Sequence, residues 1–263
     1  MNYPAGLILD WVASYLWPMT RLLGMLMAMM VVGSQSVSMT IRVKLGFVIT
    51  LAMAPVLPAM PTIELFSVQG WMVTIQQALI GIAIGFCTQL LIQSFTISGQ
   101  VIASQTGLGF ASLVDPINGG STPVIGQFYL MLGTLIFFSI DGHLTMLHLL
   151  QQSFVTLPVS THGISIEGWQ TLAAFMSTMF AMALSVAISA IMAMLLINFA
   201  FGVMTRAAPQ LNIFSMGFSV SMICGLLIVW LSLGGFMDHF LQHWQQIVSL
   251  MCTLIGTQCS GGL

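Results

Sequence analysis

Long apolar runs separated by short polar intervals organise this chain from end to end. Six runs approach the roughly 20 predominantly apolar residues that carry a helix across hydrocarbon: Trp11–Val32, Leu45–Met60, Trp71–Ile92, Phe128–Leu150, Leu172–Phe201 and Ile213–Phe236. The second is short and holds Pro55 and Pro58, which predicts a tilted, broken or incompletely spanning helix. The fifth is long enough to tilt within a bilayer or project beyond it. A further stretch, Trp244–Ile255, is amphipathic and too short to span. The pattern predicts an all-α integral membrane protein of about six hydrophobic helical segments.

One interval breaks the pattern. Thr96–Gln127 reads TISGQVIASQTGLGFASLVDPINGGSTPVIGQ, with a single charge, Asp115, and six glycines. It is too polar and glycine-rich for a spanning helix, yet too apolar for a solvated loop. Asp115-Pro116 and Asn118-Gly119-Gly120 are turn signals, and Pro123 suits the opening of the next helix. Non-helical backbone at membrane depth is tolerated only where protein or a water-filled cavity surrounds it. The residues therefore suit a re-entrant or pore-closing loop; an ordinary cytoplasmic loop with some amphipathic helix is the other reading.

Composition sharpens the membrane assignment. Hydrophobic residues make up 58% of the 263 and charged residues only 4%, against about a quarter charged in soluble domains. The formal net charge of −2 leaves no clustered cations to neutralise phosphates, so a nucleic-acid partner is not expected. The few basic residues orient the chain: Arg42 and Lys44 follow the first segment and Arg206 the fifth, while Glu64, Glu167 and Asp238 lie in the opposite intervals. With every segment crossing once, both termini face outward. No basic residue precedes the first run and Asp10 stands near its start, a poor match to a secretory signal, so that run is read as mature protein.

Small residues recur at helical spacing, which lets helices approach closely in lipid. Gly81 and Gly85 form one pair, Ala181, Ser185, Ser189 and Ala193 a longer stripe, and Gly217, Ser221 and Gly225 a third. Of the 22 methionines, Met25, Met27, Met29 and Met30 cluster, either as apolar filler or as part of a deformable constriction. Arg21 sits midway along the first segment, with Asp10 or Asp141 as conceivable ion partners. Asp141 and His143 interrupt the fourth, either as a proton relay or, if Gly142 breaks the helix, at a wet end. The cysteines 87, 224, 252 and 259 form no CxxC pair, so no metal or cofactor is expected; Cys252 and Cys259 are spaced to allow a disulfide. Neither HExxH, GxSxG, a phosphate-binding glycine loop nor paired carboxylates at helical spacing occurs, which points away from an enzyme.

Three runs carry a resemblance: SGQVIASQTGLGFASLVDPINGGSTP ending at Pro123, FYLMLGTLIFFSIDGH over Phe128–His143, and NFAFGVMTRAAPQLNIFSMGF over Asn198–Phe218. They resemble the FliR family, membrane components of the flagellar type III protein-export gate with homologues in virulence injectisomes. The resemblance implies assembly with FliP and FliQ into a pore-bearing complex in the basal body at the bacterial inner membrane. FlhB and FlhA would complete the gate, exported flagellar proteins would be its cargo, and membrane lipid would surround it. It also implies one membrane domain over 1–263, with a FliP-like part over 1–200 that includes the loop 96–127, and a FliQ-like hairpin over 201–263. The pore plug would be Gln105–Gly120, with Gln105, Gly107, Leu108, Gly109, Phe110, Leu113, Val114, Asp115, Pro116, Asn118, Gly119 and Gly120. The injectisome homologue is one alternative. A secondary transporter using Asp141 and His143 is another, although no internal repeat of the kind such carriers show is evident.

Overall fold

The computed structural model describes residues 5–33, 37–58, 60, 61, 63, 64, 66–110, 123–207 and 213–257. Every regular element among them is helical: α1 (Ala5–Ala28), α2 (Met39–Met53), α3 (Val68–Gln105), α4 (Val124–Ser139), α5 (Gly142–Thr156), α6 (Ile166–Ala207), α7 (Ile213–Ser232) and α8 (Phe236–Ile255). Short 3-10 turns at Ala54–Val56, Leu108–Phe110 and Leu233–Gly235 extend or join them. By length and composition four stretches can cross a membrane: Met39–Val56, Val68–Gln105, Ile166–Ala207 and Gly217–Ile255. The pair α4–α5, bent by 64°, is either a fifth, broken span or a re-entrant loop.

The differences from the expected segments have local causes. Helix α3 does not stop at Ile92; it continues through Thr96–Gln105, the polar start of the interval read as non-helical. There the hydroxyls turn inward on their own helix. Thr96 donates to the Ile92 carbonyl at 3.0 Å, Ser98 to Ser94 at 2.7 Å and Ser104 to Val101 at 2.7 Å, so these residues demand no water. At the far end Val124–Gln127 begin α4, with the Pro123 carbonyl accepting the Gln127 N–H at 3.1 Å. The expected fourth segment is two helices, because Ile140 and Asp141 form a turn and Asp141 takes a left-handed conformation (φ 55°). The second ends early for a covalent reason. Pro55 brings no N–H, the helix tightens into the turn Ala54–Val56, and Leu57 is extended (φ −78°, ψ 150°). Trp244–Ile255 is the second half of α8, which begins at Phe236.

Two compact units result. The first comprises Met1–Leu90, Ile140–Phe175 and Gln245–Leu263. Within it α1 lies on α3 backbone to backbone. A methyl at Gly24 would come 2.7 Å from the Ala78 carbonyl, and one at Gly81 or Gly85 would run into the Arg21 or Met25 carbonyl. Trp17, Leu22, Met25, Ile80, Ile84, Leu150 and Phe154 are fully buried around this contact.

The second unit comprises Leu91–Ser139 and Met176–Trp244. Here α3 meets α4 where Gly99 faces Gly126, leaving 2.7 Å between a Gly99 methyl and the Gly126 Cα. Ser98 also reaches the Ala183 carbonyl on α6 at 2.9 Å. Rings form the core: Phe95 lies 4.8 Å from Phe236 and 5.5 Å from Phe240, Tyr129 lies 5.3 Å from Phe236, and Phe137 lies 5.5 Å from Trp244. These pairs fall in the spacing at which aromatic side chains attract beyond their buried area.

Candidate functional site

The glycine-rich segment leaves α3 from a defined seat in the second unit. The Thr106 N–H donates to the Ile102 carbonyl at 3.0 Å, closing the last helical turn. Gly107 then takes φ +79°, the left-handed conformation that stops a helix and that a side chain resists. A methyl there would also meet the Phe218 ring of α7 at 2.8 Å. Thr106 is fully buried, and a methyl at Gly225 of α7 would run into its side chain. Gly225 and Phe218 on α7 thus hold the end of α3 at Thr106 and Gly107. Leu108–Phe110 form a single 3-10 turn beyond it. Gln105 ends the helix and Gly109 follows Leu108 within that turn. Leu113, Val114, Asp115, Pro116, Asn118, Gly119 and Gly120 lie outside the described residues.

Of the other small residues, Ser221 sits on α7 with its hydroxyl 3.4 Å from Asn198 Oδ1 of α6, and Gly217 lies one turn earlier, half-buried. The stripe on α6 faces away from the chain's own core. Ala181, Ser185 and Ser189 are exposed and Ala193 is half-buried, whereas Met182, Val186, Ala187, Ala190 and Met194 are covered. The methionine cluster divides: Met25 of α1 and Met29, just past its end, are buried where Gly85 of α3 approaches them, and Met27 is exposed.

In the first unit Arg21 is completely buried, with neutral acceptors only. Its Nε donates to Gln77 Oε1 at 2.8 Å, and Nη2 donates to the same oxygen. Nη1 donates to the Ser153 carbonyl at 2.8 Å and Oγ at 2.9 Å, and Nη2 to the Leu157 carbonyl at 2.9 Å. That accounts for all five guanidinium donors. The Phe154 ring stacks against its charge, 4.1 Å from the guanidinium carbon. The two carbonyls belong to the last turn and C-cap of α5, where the helix dipole is negative; the Ser153 carbonyl also accepts the Leu157 N–H at 2.9 Å. Arg21 is therefore a pin joining α1, α3 and α5, not half of an ion pair with Asp141. Reading the sequence alone missed Gln77, Ser153 and Leu157. Gln77, one of the few polar side chains inside Trp71–Ile92, carried a weak signal; two backbone carbonyls carry none.

Asp141 is exposed at the turn that separates α4 from α5, and His143 is half-buried two residues later. The Asp141 carbonyl accepts the Leu144 and Thr145 N–H groups at 2.9 and 3.1 Å, and its carboxylate makes no cap to the helix. A helix break is what Gly142 suggested, and the carboxylate sits there rather than within a helix. Cys87 and Cys224 are free thiols and Cys252 is disulfide-bonded. Cys259 falls outside the described residues.

Residues 12–247 match the family described as bacterial export proteins, family 1. The chain is 35% identical over 254 residues to the flagellar biosynthetic protein FliR of Pectobacterium carotovorum subsp. carotovorum, covering 96% of each. It is 33% identical over 248 residues to the protein of that name from Escherichia coli (strain K12), covering 94% of each. Against that of Aquifex aeolicus (strain VF5) it is 30% identical over 203 residues, covering 76% of this chain and 78% of the other.

Proposed function

Because this chain belongs to the bacterial export proteins, family 1, the family of the flagellar biosynthetic protein FliR, we propose that it lines the pore of the flagellar type III protein-export gate. It is a membrane-embedded component of the flagellar export apparatus; the pore, its cargo and its partners are the further step. In this reading it assembles with FliP and FliQ in the inner membrane at the flagellar basal body, next to FlhB and FlhA. Unfolded flagellar proteins pass through, driven by other parts of the machine. Residues 1–200 correspond to a FliP-like part and 201–263 to a FliQ-like hairpin. The chain acts as a conduit and not as a catalyst.

The observation that carries the pore reading is the seat of the glycine-rich segment. A closing loop must start from a fixed point, and α3 provides one by locking Thr106 and Gly107 against α7. The uncovered apolar face of α6, with Leu184, Ile188, Met192 and Leu196 all more than half exposed, supports burial against lipid and other subunits. Deleting part of residues 111–120 should leave the complete gate assembled but leaky to ions and small solutes. Conductance or solute influx in cells making all the components measures this. A deleted form that assembles and stays tight removes the plug from the reading. Loss of assembly calls instead for single Gly or Ala replacements.

A further inference from the structure

Helix α8 ends on a turn that sends the backbone back along it. The Gly256 N–H donates to the Thr253 carbonyl at 3.3 Å and the Thr257 N–H to the Cys252 carbonyl at 2.9 Å, with Gly256 at φ +68°. Two such bonds around a left-handed glycine close a helix and reverse the chain. Nothing stands within 4 Å of where a Gly256 methyl would be, so the glycine serves its backbone conformation and not a close contact. Cys252, whose carbonyl takes the last of these bonds, is disulfide-bonded, while Cys87 and Cys224 are free thiols. Of the four cysteines in the sequence, that leaves Cys259 as the partner within this chain.

We propose that Cys252 and Cys259 are a modification site, oxidised to a disulfide in the periplasm, and that the bond ties the segment after α8 back onto its last turn. The turn at Gly256 brings the two within range. Had α8 continued, positions 252 and 259 would stand about 10.5 Å apart along its axis. That exceeds the roughly 7 Å between Cα atoms that a disulfide can bridge. With the chain reversed, Thr257 is bonded to Cys252, and the two residues from there to Cys259 span at most about 7 Å. Cys252 is 3% exposed, with Met251, Leu254 and Ile255 buried beside it, so once α8 has packed the bond is shielded from reductants. It secures the part of α8 that meets the start of α6, where a methyl at Gly168 would stand 3.8 Å from Leu254 Cδ2.

The bond needs an oxidant, and therefore a compartment. One thiolate attacks the disulfide of a thiol–disulfide oxidoreductase to give a mixed disulfide, and the second thiolate displaces it. Two S–H bonds are lost, one Sγ–Sγ bond forms, the two protons pass to water, and the two electrons reduce the oxidoreductase to its dithiol. The cytosol keeps thiols reduced, whereas the bacterial periplasm sustains this chemistry. The end of α8 therefore faces the periplasm. Charge leads to the same side by a separate route. The preference for basic residues in cytoplasmic loops sets Arg206 on the inner face, and Cys252 stands near the far end of the next stretch able to cross, Gly217–Ile255. The export reading is not used here, so failure of one leaves the other untouched.

The test uses the full chain made in cells. Cells are quenched in acid and denatured, free thiols are blocked with a light maleimide, disulfides are reduced, and the released thiols take a heavy maleimide. Labelling follows denaturation, so burial of a thiol cannot imitate a bond. Mass spectrometry should find the light label on Cys87 and Cys224 and the heavy label on Cys252 and Cys259. Without reduction, chymotryptic cleavage after Leu254 should release two peptides joined by one disulfide. Cys259→Ser should move Cys252 to the light label, and so should growth of cells that lack their periplasmic thiol oxidant in medium free of cystine. Light label on Cys252 and Cys259 in ordinary cells overturns the proposal. Heavy label persisting on Cys252 in Cys259→Ser also overturns it, because the partner is then another thiol. Heavy label persisting on both cysteines without the oxidant overturns the periplasmic assignment.

Discussion

Arg21 shows how a charge is kept inside an apolar protein without a counter-charge. Its five donors are matched by oxygens from Gln77, Ser153 and Leu157, so replacing it orphans several buried acceptors. Each buried group left unpaired costs about 1–3 kcal/mol. Lysine carries three donors on one nitrogen and cannot reproduce the fork. Arg21→Lys should therefore lower the amount of protein in the membrane and its thermal stability in detergent, and Arg21→Ala more so; immunoblotting and thermal aggregation measure both. Gln77 offers a converse test. Its Oε1 is committed to Arg21, while its Nε2 is buried without a partner. Gln77→Glu trades that unsatisfied donor for an anion beside the guanidinium. It should be tolerated when Arg21 is present and strongly destabilising beside Arg21→Met, where the new carboxylate has no cation.

The helices divide into those whose glycines are needed and those whose glycines are not. At Gly107 a methyl meets both a left-handed backbone and the Phe218 ring. Gly107→Ala should cost about 1–2 kcal/mol from the backbone alone and shift the start of the following segment. Gly202, inside α6, has open space around it, with nothing within 4 Å of where a methyl would stand. Gly202→Ala should be neutral or raise stability by about 0.5–1 kcal/mol, so protein level and melting temperature of the two variants should move in opposite directions. Most elements were legible as apolar runs of spanning length. The sequence under-read α3 because Thr96, Ser98 and Ser104 look polar while bonding to their own helix. The break at Asp141 was suggested by Gly142, yet the left-handed residue is the aspartate itself. The exposure of Ala181, Ser185 and Ser189 was not legible either, since periodicity defines a stripe but not what it faces.

For the whole molecule, the fate of the bent pair α4–α5 decides the topology. If Met39–Val56, Val68–Gln105, the bent pair and Ile166–Ala207 each cross once, an even number of crossings separates Arg42 and Lys44 from Arg206. All three then lie on one side, with Glu64 and Glu167 on the other, as the preference for basic residues in cytoplasmic loops requires. If the pair dips and returns, Arg206 moves to the opposite side from Arg42. We expect the crossing form. Single cysteines placed beside Lys44 and Arg206, in a chain otherwise free of reactive thiols, should both resist an impermeant reagent applied outside spheroplasts. Labelling beside Arg206 alone would instead establish a returning pair and four crossings.

The Arg21 pin also sets a clock on synthesis. The arginine is made 56 residues before Gln77, 132 before Ser153 and 136 before Leu157. At about 5–20 residues per second, its last acceptors emerge on the order of ten seconds after the charge itself. Throughout that interval α1 carries a cation it cannot satisfy in lipid. Helix α1 should thus settle fully only once α5 arrives to receive its charge.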